Sequence, residues 1–167
     1  MFAVLLSLVS GLSAHQAQVS SPPCKQARMA KRTVDAIEAS SDDGDRVTQA
    51  AELQDKLRSV GTECSNSCQR AIAVQVARLL PFPTLRGWAA LGLYRLGSNA
   101  SAASREIHTA YLAQREWMRP KPDIPIRVGP DQSDLESLKC LDKFVNTGAH
   151  DRALCDWLEQ AVKTPRD

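Results

Sequence analysis

Along most of the chain apolar residues recur every three or four positions, the period of an α-helix rather than a strand. Cys24, Ala27, Ala30, Val34 and Ile37 make the first stripe, after a Pro22-Pro23 entry. Ser40 to Asp45 then reads as a turn in which Asp45 or a neighbour caps the next helix. Val47, Ala50, Leu53, Leu57 and Val60 give a second stripe, stopped by Gly61. A third runs from Thr62 as cap through Cys64, Cys68, Ile72, Val76 and Leu80, and Pro81 and Pro83 end it. Leu85 to Leu96 is apolar nearly all round, which predicts a helix buried on every side. A fifth helix is expected from Ser101 to Met118, with Ile107, Ala110, Tyr111 and Trp117 inside.

Beyond it, Pro120, Pro122, Pro125 and Pro130 predict an extended loop over 120–132. Ser133 to Glu136 has the form of a capping box and opens a sixth helix. Asn146 to Gly148 closes that helix. Asp151 or a neighbour opens the seventh, with Leu154, Trp157, Leu158, Ala161 and Val162 inside. The expected fold is all-α: six or seven helices arranged as antiparallel hairpins. Composition agrees, since Ala (22) and Leu (18) outnumber Val and Ile together (16).

The amino-terminal segment has a different character. No charged side chain precedes Lys25, and Phe2 to Leu12 is a mainly apolar run. A run of this length suits the core of a signal peptide and is too short for a transmembrane helix, which needs about 20 residues. Small residues fit for cleavage follow between Ser13 and Ser20, although no Lys or Arg precedes the apolar run. Residues 1–20 therefore read as a signal peptide and 21–167 as one helical domain, secreted or periplasmic. No later stretch is apolar enough to span a membrane.

Export gives the five cysteines an oxidising environment in which disulfides persist. In an antiparallel hairpin, residues equidistant from the turn lie at the same height. Cys140 and Cys155 are centred on Thr147-Gly148, the expected turn, where facing Cα atoms approach to about 4–6 Å, within disulfide range. Reflection through Asp42-Asp43 carries Cys24 to near Val60, just before Cys64. The expected bridges are Cys140–Cys155 and Cys24–Cys64, which leaves Cys68 as the free thiol.

Charge and motif narrow the function without fixing it. A net charge of +2 on 167 residues lacks the basic excess of a general nucleic-acid binder. His108 and His150 have no metal-ligand spacing around them, no phosphate loop or nucleophile elbow is present, and no cofactor or metal is implied. Aligning Gly44 with the glycine of a calcium loop puts Ala39 and Ala50 at ligand positions, which excludes that reading. Trp88, Leu91 and Gly92 resemble the opening of a tetratricopeptide repeat, but Arg95 stands where that pattern has Tyr.

Residues 62–119 carry seven Arg, no Lys and three Glu. Arginine forks suit interface edges, so Arg78, Arg86, Trp88, Tyr94 and Arg95 form the candidate interaction rim around Leu85–Leu96. Asn99-Ala-Ser101 is a glycosylation sequon for a eukaryotic secretory route. The expected activity is binding rather than catalysis, with another protein of the exported compartment as partner. A helical carrier of a small apolar ligand is the second reading. An exported hydrolase, the third, would need a polar cleft holding His108 or His150 with a carboxylate.

Overall fold

The computed structural model describes residues 24–119, 130–149 and 151–163. Among these, no strand occurs, and seven helices of ten residues or more build the domain. Helix α1 (Lys25–Ala39) buries Ala27, Ala30, Val34 and Ile37, the stripe that its periodicity marks. The next helix, α2 (Asp43–Leu57), is capped by Asp42, whose carboxylate accepts from the Asp45 amide at 2.8 Å. The cap is thus three residues before Asp45, where an oxygen side chain can reach the third amide of the helix.

Helix α2 stops at Leu57, before Gly61. The chain makes a single turn α3 (Val60–Glu63), and Ser65 caps α4 (Asn66–Ala77). This rerouting changes one disulfide. Cys24 is bonded to Cys68, with Cα atoms 5.7 Å apart, and the remaining thiol is Cys64. The expected Cys24–Cys64 pairing assumed that α1 faces a continuous second helix. Instead α1 packs along α4. Cys68 lies on the first turn of α4 with its side chain buried, whereas Cys64 ends the preceding turn.

The two helices run parallel. Cys24–Cys68 joins their amino-terminal ends. At the other end, Arg78 Nη1 lies 2.9 Å from Asp35, and Nε and Nη2 grip the Glu38 carboxylate. Charge-assisted bidentate bonds of this kind fix register as well as adding attraction.

After a 3-10 turn (Pro83–Leu85), α5 (Arg86–Arg95) passes through the middle of the domain. Ala89, Ala90, Leu91, Gly92 and Leu93 are buried consecutively, so no face of the helix is polar throughout. It has α2 and α4 on one side and α7 and α8 on the other. A 3-10 segment (Gly97–Ala103) begins at Gly97, whose φ of +57° favours glycine. It leads into α6 (Ser104–Trp117).

Of the expected loop, 120–129 lies outside the described residues, and 130–132 is already helical. Helix α7 (Pro130–Thr147) opens on a proline, whose fixed φ suits a first helical position. Gly148, at φ +67°, terminates it and donates to the Phe144 carbonyl at 2.9 Å. Helix α8 (Arg152–Lys163) returns antiparallel, and Cys140–Cys155 joins the pair with Cα atoms 5.3 Å apart. The signal-peptide reading falls on residues outside those described.

Candidate binding cleft

An open groove of about 620 Å³ lies among α2, α5, α7 and α8. Its floor is one face of α5, where Gly87, Leu91 and Arg95 recur at four-residue intervals, with Trp88 beside them. Gln54 and Asp55 of α2 and the adjoining Arg58, with Pro83 and Thr84, form one wall. Ser133 and Asp134 of α7 and Trp157 and Ala161 of α8 form the other. Most of the lining surface is apolar. Trp157 is 44% exposed, a large apolar surface to leave in water at the edge of a cleft.

Two glycines of α5 let neighbouring side chains come close to the helix. A Cβ at Gly92 would fall 2.6 Å from Gln54 Nε2 and 3.2 Å from Val76, so the glycine leaves room for the end of the Gln54 side chain. The buried Gln54 then receives Arg95 Nη1 on its backbone oxygen at 3.0 Å and on Oε1 at 3.1 Å. The Trp88, Leu91, Gly92 spacing that resembles a repeat opening is thus used to seat a neighbouring helix. At the other end, a Cβ at Gly87 would lie 2.9 Å from Asp134 Oδ1, so the carboxylate rests directly on the first turn of α5.

The five residues of the expected rim do not share one surface. Trp88 and Arg95 line the groove. Arg78 is at the far end of α4, holding Asp35 and Glu38. Arg86 donates to the Leu80 carbonyl at 3.0 Å and to the buried Gln114, which ties the start of α5 to α6. Tyr94 is half-buried, and burial, then the nearby Glu159 charge, pushes its phenol above the usual range. Sequence reasoning placed Trp157 in the core. It placed Ala161 there too and missed Arg58 and Asp134, because the groove joins residues up to about a hundred positions apart. The overt signal was a tryptophan on a helix already supplied with Leu158 and Val162 as inner residues.

The other candidates lie elsewhere. His108 Nδ1 is 3.0 Å from Asp142 Oδ1, and Asn146 donates to the same oxygen at 2.9 Å. This pair joins α6 to α7 with the imidazole 52% exposed, and it does not line the groove. His150 lies outside the described residues. Asn99 Nδ2, the atom a glycan would take, donates to Gln69 Oε1 at 2.9 Å and secures the 3-10 segment against α4. Among the described residues no cluster of three metal-ligating side chains occurs, and no helix is long and apolar enough to cross a membrane. The Cys64 thiol is pushed above its usual value of 9.0 by burial, reinforced by the Glu63 charge.

Comparison with family models, with curated proteins and with solved structures finds no match.

Proposed function

We propose that this chain is an exported binding protein that holds a segment of another protein in the groove over α5. The observation that carries the reading is that Trp88, Leu91 and Trp157 line one open, mainly apolar cleft. Tryptophans concentrate binding energy at interfaces because they bury large area at small entropic cost, and here Asp55, Arg58, Arg95 and Asp134 line the same cleft. The apolar run near the amino terminus and the two disulfides support an oxidising, exported location.

Affinity capture from the exported fraction, with wild type and Trp157→Ala as matched baits, tests the reading. A partner retained by wild type and reduced at least tenfold on Trp157→Ala is the expected result. Equal retention counts against the groove.

The groove volume also favours a second reading, because it lies within the roughly 300–1,000 Å³ of small-molecule sites. In that reading an amphipathic small molecule lies over α5. A bound mass that leaves the purified protein on denaturation, seen by native mass spectrometry, would favour it over a protein partner.

A further inference from the structure

A bridge and a free thiol share the end of the domain where α1 and α4 begin. Cys24 and Cys68 form the bridge. Cys64, the free thiol, immediately precedes Ser65, the cap of α4, and Cys68 is the third residue of that helix. The Cys64 carbonyl accepts from Gln69 Nε2 at 2.9 Å, which holds its backbone against the turn that carries Cys68. All three cysteines pack on the same apolar core.

The two bridged sulfurs differ in what surrounds them. Cys24 caps the 15-residue α1, and its Sγ accepts from the Ala27 amide at 3.2 Å. The positive end of a helix lowers the pKa of a thiol placed there. In α4 the capping oxygen is that of Ser65, which takes the Cys68 amide at 3.4 Å. Cys68 itself is buried, and burial disfavours a thiolate. In disulfide exchange the sulfur of lower pKa leaves faster. Cys24 is therefore the better leaving group and Cys68 the sulfur to attack.

We propose that this helix end is a thiol–disulfide exchange centre in which Cys64 attacks Cys68 and frees Cys24. The Cys64 thiol first gives its proton to solvent. Its electron pair then forms the Cys64–Cys68 bond as the Cys24–Cys68 bond breaks. The departing pair stays on Cys24 Sγ, where the Ala27 amide meets it. One thiol and one disulfide exist before and after, so no oxidant or reductant is consumed. The exchange cuts the covalent tie between α1 and α4 and leaves Arg78, with Asp35 and Glu38, as their remaining fastener of register. Burial and the Glu63 charge raise the Cys64 thiol, so Cys24–Cys68 is the resting pairing at neutral pH and exchange follows deprotonation.

The test holds the oxidised protein at about pH 9 without added thiol, then labels it with iodoacetamide at about pH 6, where a thiol of lowered pKa reacts best. Non-reducing peptide mapping should find Cys64 linked to Cys68 and label on Cys24 increased at least tenfold over protein not held. The rate should be independent of protein concentration and rise about tenfold per pH unit below the Cys64 pKa, as the thiolate fraction does. Iodoacetamide present throughout the hold captures Cys64 first and should preserve the Cys24–Cys68 link. Cys64→Ser, with its bridge and helical circular dichroism unchanged, should gain no label on Cys24. Retention of Cys24–Cys68 through the hold overturns the inference. So does a Cys24–Cys64 link with label on Cys68, or label on Cys24 in Cys64→Ser.

Discussion

The two layers that flank α5 solve the same packing problem in different ways. In the carboxyl-terminal layer, α7 and α8 form a local hairpin whose bridge spans 15 residues. In the amino-terminal layer, α1 and α4 lie side by side in parallel, and their bridge spans 44 residues. Two parallel helices cannot be joined by a tight turn, so α2 must run back between them in sequence. Their register is then secured at both ends, by sulfur at one and by Arg78 at the other. The contrast shows where this fold depends on covalent and ionic fasteners rather than on short loops.

The largest effect that separates the layers should come from the disulfides. Loop-closure entropy for 44 and 15 residues corresponds to about 4 and 3 kcal/mol respectively. Urea unfolding of the Cys24→Ala/Cys68→Ala protein should show the greater loss, compared with Cys140→Ala/Cys155→Ala. A larger loss from the second pair would reverse the comparison.

Leu93 is fully buried on the helix that both layers share, and Leu93→Ala should cost about 3 kcal/mol. Because α5 touches both layers, the variant should still unfold in one transition. Two separated transitions would show that the layers are independent.

Arg78→Met should cost about 1 kcal/mol, since the lost grip on Glu38 is charge-assisted but one-third exposed to solvent. Calorimetry of this variant in both disulfide-deficient backgrounds sharpens the comparison. Its cost should grow when Cys24–Cys68 is absent and stay the same when Cys140–Cys155 is absent.

A smaller, pH-dependent effect belongs to the same seam. The Lys31 ammonium first, and then the Arg78 guanidinium, hold the Asp35 carboxyl below the ordinary range. Its folded value lies below the unfolded one of about 3.9, so its contribution is fully present above that pH. The contribution is lost as pH falls through the lowered folded value. The stability difference between wild type and Asp35→Asn should therefore be level at neutral pH and shrink in acid below about pH 4. A difference that grows on acidification would contradict the pairing.

The smallest perturbation is chemical. Burial raises the Cys64 thiol above 9.0, so alkylation of the non-reduced protein should be slow at neutral pH and speed up beyond pH 9. Peptide mapping should place the label on Cys64 and find Cys24 linked to Cys68. A label on Cys68 would restore the other pairing.

Much of the local structure was legible from periodicity. The buried stripe of α1, the all-round apolar character of α5 and the Cys140–Cys155 hairpin each follow from residues no more than 15 positions apart. Periodicity is local, and an amphipathic helix announces which face it will bury without naming the neighbour. The third helix shows the limit: its apolar spacing extended back to Cys64, but Ser65 supplied the side-chain oxygen that caps α4. The helix begins there, and Cys68 faces α1 instead. Similarly, Trp117 fits the inner stripe of α6 yet is 44% exposed at the last residue of that helix.

By itself, then, the sequence determined that the chain is helical, roughly where each helix turns inward, and which cysteines an ordinary hairpin can join. Only the tertiary structure decided that α1 and α4 run parallel, that Cys64 is the free thiol, and that Trp88 and Trp157 face a common groove. The physical reason is the reach of the information. Helix formation and capping are settled within a few residues, whereas parallel packing and a cleft assembled from α2, α5, α7 and α8 depend on where distant segments find room to bury their faces. Gly92 joins the two scales. In sequence it is one small residue in an apolar run, and in the folded chain it is the gap that admits Gln54, which in turn accepts from Arg95.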